Sequence, residues 1–345
     1  MLAVRPSRPV HAPHLRALAA ALTLASDDLI ATTPAMLESL HLADAFARTD
    51  RTIVLYGETG TGKSLLGEVI HRLSGRVGGL HAISVGTMAP SLVEDELFGH
   101  ERGAFTDART ARVGLLGESG AGTLRLDDMH GAPPWLQRKL FDVMDRRVYR
   151  VLGSDRILAI ACRFIVTLNE HPDRLVEQGV LIRDLRYRFH ELLIGMAPLR
   201  ERRDEIPLLA ARALARCQKE LPPDGPSRLS DAALAVLYRA EWPGNVRQLE
   251  DIVERAYLIA LKAERDAIIP ADIPDEISPP LLYPRKGTLA EKTDIVQRAL
   301  ERTGGNTAAA ARLVRVSRNT IKALHRASQL AKTTRGTALN ASTRV

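Results

Sequence analysis

Thr52-Ile53-Val54-Leu55-Tyr56-Gly57-Glu58-Thr59-Gly60-Thr61-Gly62-Lys63-Ser64 decides the fold. Its first five residues are β-branched, aliphatic or aromatic and read as a buried strand. Its last eight match G-x-x-x-x-G-K-[ST], and a helical pattern runs on from Ser64 to Leu73. Strand, glycine-rich turn and helix in that order make a phosphate-binding loop. The glycines let the backbone wrap an anion, while free N–H groups and the helix N-terminus face it. Gly57, Glu58, Thr59, Gly60, Thr61, Gly62, Lys63 and Ser64 are therefore the candidate ATP-binding residues. Lys63 is expected on the β- and γ-phosphates and Ser64 on Mg²⁺.

Working outward, Thr123–Leu126, Ile157–Ala161 and Phe164–Leu168 also read as buried strands, with helical stretches such as Pro134–Asp145 between them. Strands alternating with helices imply an α/β unit, a parallel sheet flanked by helices. The first of these strands, Thr123–Leu126, ends in Asp127-Asp128. After a phosphate loop at this distance, Asp127 suits the Mg²⁺ shell, and Asp128 suits a general base that orients the attacking water. Residues 204–262 read as helices alone, a smaller helical subdomain. Residues 267–287 hold six prolines and glycines and have the composition of a linker.

The 345 residues are 45% apolar and 26% charged, which excludes a disordered chain, a collagen and a coiled-coil rod. Two cysteines cannot build a disulfide scaffold or a four-thiolate metal site, and a reducing, cytoplasmic setting is expected. No stretch has the length of unbroken apolar residues that a membrane span needs, so no membrane partner is expected. Residues 1–28 read as an N-terminal arm.

The net charge of +7 is unevenly spread. From Thr288 to Val345 there are eleven Lys and Arg against three Asp and Glu, so the rest of the chain is close to neutral. A basic end on a neutral body is the footprint of a small nucleic-acid-binding module. Leu289–Arg302 reads as its first helix and Thr307–Val314 as its second. Arg315-Val316 makes a turn, and Ser317 caps a third helix. Ala309, Ala310, Leu313, Val316, Ile321 and Leu324 would form its core. Such a helix-turn-helix lays its last helix in the major groove of double-stranded DNA. Arg318, Asn319 and Lys322 are the candidates for base contact, while Arg312, Arg315, Arg326 and Lys332 suit phosphates.

Three longer strings carry a family resemblance. They are Glu96-Leu97-Phe98-Gly99-His100-Glu101-Arg102-Gly103-Ala104-Phe105-Thr106-Asp107-Ala108, the stretch Pro198-Leu199-Arg200-Glu201-Arg202-Arg203-Asp204-Glu205-Ile206-Pro207, and Trp242-Pro243-Gly244-Asn245-Val246-Arg247-Gln248-Leu249-Glu250. The chain resembles the AAA+ activators of sigma-54 RNA polymerase, the bacterial enhancer-binding proteins, over about residues 29–330. That resemblance implies an AAA+ α/β subdomain at 29–196, a helical lid at 197–266 and a Fis-type helix-turn-helix at 288–330, while composition gives the linker at 267–287 and a disordered tail rich in Thr, Ala and Arg at 331–345. It implies that Gly103, Ala104, Phe105, Thr106, Asp107 and Ala108 form the loop that contacts sigma-54. It assigns Asn169 as the first sensor, Arg247 as the second, and Arg188 as an arginine reaching into a neighbouring subunit's nucleotide. The expected assembly is a ring, in size a hexamer, and the expected partners are sigma-54 polymerase and enhancer DNA. With no signal domain in residues 1–28, a stand-alone member is expected, regulated through an inhibitory protein, through its expression level or through a homologous subunit.

The chain departs from the family pattern at several working positions. Asp128 replaces Glu, Asp107 replaces Gly, Leu168 replaces Thr before the sensor Asn, and Ser84 replaces the Asn that pairs with the Walker B Glu. Ile182 takes the place of a second arginine, with Arg183 one residue late. Two functions are therefore expected in order. The first is an ATP-hydrolysing activator that remodels the closed polymerase complex. The second is a DNA-binding regulator that senses ATP with little turnover, acting as a repressor, on another polymerase form, or in a mixed ring.

Overall fold

The computed structural model describes residues 29–106, 108–189, 192–222, 224–274, 289–302, 306–314, 316–318 and 320–325. The expected arm, the tail, and the positions Asp107, Arg315, Asn319, Arg326 and Lys332 lie outside the described residues. The chain divides into two compact units after Pro274.

The first unit opens with helix α1 (Pro34–Ala47) and strand β1 (Ile53–Tyr56), and the phosphate loop leads into α2 (Lys63–Leu73). The main sheet takes β1, β2 (Leu80–Ser84), β5 (Thr123–Asp127), β8 (Arg163–Leu168) and β9 (Leu193–Gly195) in the order β2-β5-β8-β1-β9. Every pairing in it is parallel, with Ile53 opposite Ile165 and Ile83 opposite Leu126. A parallel sheet is covered on both faces, so its strands are apolar on both sides. Successive side chains alternate between two cores. Val54, Leu124, Leu126, Phe164, Val166 and Leu168 enter one of them. Ile53, Leu55 and Ile165 enter the other, against Leu66, Val69 and Ile70 of α2. Leu66, Val69, Ile70 and the buried Gly67 mark one side of that helix. The same alternation leaves Arg125 and Asp127 facing α2.

One predicted strand is not in the sheet. Ile157–Ala161 was expected to be buried, but β7 is Ile157–Ala159 and pairs antiparallel with β6 (Val148–Arg150) in a separate hairpin. Ile157 is 60% exposed. A short apolar run does not say what covers it. The sheet instead contains β2, whose Leu80-His81-Ala82-Ile83-Ser84 run is broken by polar and small residues, and β9, which is only three residues long.

The lid contains α8 (Ile206–Glu220), α9 (Asp231–Arg239) and α10 (Asn245–Lys262). Two two-residue strands, β10 (Arg228–Leu229) and β11 (Ala267–Ile268), pair parallel within it. The lid therefore reaches Pro274. Residues 267–274, expected to begin the linker, belong to it: Ile268 and Asp272 are buried, and the Asp272 carboxylate pairs with Arg265. The prolines here shape a packed turn instead of freeing the chain.

The second unit holds α11 (Leu289–Arg302) and α12 (Thr307–Leu313), followed by helical residues 320–325. Val296, Ala299, Leu300, Ala310, Ala311, Val314, Ile321 and Leu324 form its core. Of the predicted core residues, Ala310, Ile321 and Leu324 are buried in it, and Val316 packs against it.

Candidate functional site

The phosphate loop, the ends of β5 and β8, and the first turn of α10 enclose a pocket of about 390 Å³. Lys63, Ser64, Asp127, Asp128 and Arg247 all line it, with Thr59, Gly60 and Gly62. The sequence reading thus separated five working side chains by up to 184 positions, and the fold brings them to one wall. A larger open hollow of about 820 Å³ lies beside Arg183, Arg186 and Tyr187, but no phosphate-loop residue borders it.

Lys63 opens α2 behind Gly62, which sits at φ 103°. Its ammonium donates to the carbonyls of Gly57 at 2.6 Å and Glu58 at 3.0 Å. Burial pushes its pKa down, while Asp128 and Asp127 oppose that shift. The charge is therefore held at the loop by nearby carboxylates. Both oxygens of Asp127 accept from Arg125 Nε, at 2.9 and 3.1 Å. Asp128 follows at φ 54°, a left-handed conformation that side-chain-bearing residues seldom adopt. Its backbone N–H donates to Thr167 Oγ1 at 3.0 Å, which fixes the turn.

Asn169 does not line the pocket. It lies just past the end of β8 and is exposed, whereas Thr167 is buried and borders the cavity. The strand ends at Leu168, so Thr167 is its last pocket-facing residue, and Asn169, which alternation would have put on the same face, lies beyond the regular strand. Ser84 also borders the pocket, where it accepts a hydrogen bond from Thr87 Oγ1 at 2.7 Å. Arg188 is turned to its own subdomain, donating to the Met144 carbonyl at 2.9 Å beside Asp145. Ile182 precedes the short helix α7 (Arg183–Arg188), and its N–H donates to Gln137 Oε1. Arg183 is exposed.

The lid meets the loop through residues that were quoted in the sequence strings without roles. Asn245 donates to Glu58 Oε2 at 3.1 Å and to the Thr59 carbonyl at 3.0 Å, and accepts from the Leu199 N–H at 2.7 Å. Val246 N–H donates to the Gly60 carbonyl. A side chain at Gly60 would stand 2.3 Å from the Gly244 carbonyl, and its φ is +80°, so only glycine fits between loop and lid. Arg200 grips Glu58 through two hydrogen bonds, of 2.8 and 2.6 Å. This contact holds the Glu58 carboxyl below its usual range. Beneath it, Arg202 and Glu205 are an almost fully buried ion pair at 3.1 Å. Arg202 also donates to the Thr61 carbonyl, and Glu205 accepts from the backbone and hydroxyl of Thr33. Thr33 and Thr61 lie far from this pair in sequence, so no local spacing pointed to them.

The loop from β3 (Gly99–His100) to β4 (Arg112–Val113) carries the Gly-Ala-Phe-Thr segment. Gly103 sits at φ +87°, and its N–H donates to the Ala108 carbonyl at 2.8 Å, closing a compact turn. Phe105 is 46% exposed and packs edge-on against His100 at 4.9 Å. His100 is itself held by Asp95 and the Thr110 carbonyl. Ala104 and Thr106 complete the described part of the turn, and Ala108 is buried.

In the second unit, Ser317 Oγ accepts from the Thr320 N–H at 3.1 Å, the cap that the sequence suggested. Arg318 and Lys322 are exposed one helical turn apart, while Ile321 and Leu324 are buried. The first two are therefore available to a groove. Asn319 is outside the described residues.

Three family models match the chain: the sigma-54 interaction domain over residues 29–195, the AAA+ ATPase lid domain over 200–282, and the bacterial regulatory protein Fis family over 293–323. The chain is 34% identical over 291 residues to the formate hydrogenlyase transcriptional activator FhlA of Escherichia coli strain K12, covering 81% of this chain and 40% of that protein. It is 34% identical over 308 residues to the transcriptional regulatory protein ZraR of Klebsiella oxytoca, covering 86% of this chain and 68% of that one. Its length thus matches less than half of the first relative and about two thirds of the second. Among solved structures, NtrX from Brucella abortus in complex with ATP is similar at TM-score 0.66 and 26% identity, covering 90% of this chain and 72% of that one.

Proposed function

The chain belongs to the family of AAA+ regulators that carry a sigma-54 interaction domain, and from that premise we propose that it activates transcription by coupling ATP hydrolysis to remodelling of the sigma-54 polymerase closed complex. The observation that carries this reading is the shared pocket, where Arg247 of the lid joins Lys63, Ser64 and Asp128 of the α/β subdomain. A side chain from each subdomain on one nucleotide lets the presence of the γ-phosphate set their closure.

Lys63 holds the β- and γ-phosphates. Asp128 orients a water and takes its proton as the water attacks the γ-phosphorus, while the bond from that phosphorus to the leaving ADP oxygen breaks. Arg247 contacts the γ-phosphate, and Arg188 serves the nucleotide of a neighbouring copy in a ring. Thr167, bonded to the Asp128 N–H and bordering the pocket, acts as sensor in the role expected of Asn169. Ser64 offers a hydroxyl toward Mg²⁺, while both oxygens of the Asp127 carboxylate already accept from Arg125 Nε, so this ion meets a donor set that is partly occupied. When bound, it neutralises phosphate charge. Phe105 and Thr106, at the head of a turn with an exposed aromatic, deliver the work to sigma-54. Arg318, Asn319 and Lys322 hold the enhancer DNA. The ring forms from copies of this chain or with a homologous subunit, and an inhibitory protein is one route of control.

Ile182 in place of an arginine and the shorter Asp128 favour a second reading, an ATP-sensing regulator with little turnover. ATP turnover by the purified chain across a concentration series, with Lys63→Ala as control, separates the two. Turnover per chain that rises with concentration and vanishes in the control is the expected result. Nucleotide binding without turnover at any concentration supports the second reading.

A further inference from the structure

Arg125 is two residues before Asp127 on β5 and faces the same side of the strand. It is 8% exposed and inside the wall of the nucleotide pocket. Its Nε contacts both Asp127 oxygens, at 2.9 and 3.1 Å, and its Nη1 donates to the Ser64 carbonyl at 3.0 Å. Glu68 is farther away, at 4.0 Å. The guanidinium therefore joins the two segments that supply the oxygen groups for a cation. The space it fills is provided by Gly67 on α2: a Cβ there would lie 3.1 Å from Arg125 Cδ and 3.6 Å from its Nη1. Arg125 and Gly67 fit each other as a pair.

We propose that Arg125 is a positioning residue that occupies the Asp127 carboxylate, so that this chain binds nucleotide with little dependence on Mg²⁺. A guanidinium cannot lose its proton in a protein, so its charge is fixed at this point. It provides at Asp127 the positive charge that a hydrated cation would otherwise bring. Two cations at one carboxylate repel, more strongly in a wall away from bulk water. The one attached to the chain is already in place, and the free ion must displace it or share. The inference rests on the nucleotide reading of the pocket.

The test is the affinity of a fluorescent ATP analogue for the full chain, measured in EDTA and in saturating MgCl₂. For the wild type the two affinities are expected within about threefold of each other. Arg125→Met keeps the stem packed on Gly67 and removes the charge, and Mg²⁺ then tightens binding by about tenfold or more. Arg125→Lys keeps a charge without the two-oxygen grip and falls between. Equal Mg²⁺ dependence in the wild type and both variants overturns the inference. If Arg125→Met does not fold, Arg125→Lys decides, and a Mg²⁺ ratio equal to that of the wild type overturns it. Failure of the wild type to bind the analogue in either buffer strikes the nucleotide reading itself, a separate outcome.

Discussion

Glu205 has no exposed surface, and its two carboxylate oxygens serve four groups: the Thr32 and Thr33 N–H groups, the Thr33 hydroxyl and Arg202. Such a residue stabilises by satisfying others, and its removal leaves a buried guanidinium without a counter-charge. Glu205→Ala is expected to cost about 3–5 kcal/mol, read as a lowered denaturation midpoint of the full chain. A smaller loss, below about 1 kcal/mol, would mean that water replaces the carboxylate. Lys63, Ser64, Asp127 and Asp128 were singled out by local spacing, and the fold brings them to one pocket. Glu205 was legible only as part of a string, since its partners Thr32 and Thr33 precede the first helix, and its ion-pair partner Arg202 reaches the phosphate loop at the Thr61 carbonyl. Asn169 shows the converse. A matching letter in a motif says nothing of which way a strand end turns, and the end of β8 presents Thr167 to the pocket instead.

At the scale of elements, the lid is fastened to the phosphate loop by the Arg200–Glu58 grip and by Asn245, whose φ of 53° turns the chain into α10. Glu58 has its pKa lowered chiefly by the hydrogen bond from Arg200. A carboxyl with a depressed folded-state pKa contributes stability above its unfolded value and loses it as pH falls through the folded one. Glu58→Gln should therefore melt below the wild type at neutral pH, and the gap should close as pH falls below the ordinary value of 4.5. Thermal unfolding of both chains across that range measures it, and a constant gap would show that the charge of Glu58 does not act. The elements themselves were mostly legible. The helices 289–302 and 307–313 and the strand 53–56 follow from pattern and caps. The error at Ile157–Ala159 has a physical cause: an apolar triplet fits a surface hairpin as well as a sheet centre, and long-range pairing decides.

For the whole molecule, the basic charge and the nucleotide chemistry belong to different units, so their tests separate. Arg318→Ala should weaken binding to a specific duplex by about 1–3 kcal/mol and relax its sequence preference, with little change in nucleotide affinity. Fluorescence anisotropy with specific and scrambled duplexes at two salt concentrations reads both effects. An equal loss on both duplexes would assign Arg318 to phosphates. The sequence by itself determined the class of the fold, the phosphate loop, the acidic strand end and the three-helix basic module, because each is carried by a pattern of residue types a few positions apart. Only the tertiary structure decided which strands share the sheet, that residues 267–274 pack into the lid, that Thr167 borders the pocket, and that Gly67 makes room for Arg125 on Asp127. These depend on burial and on hydrogen bonds between distant segments, whose energies have no local signature in the chain.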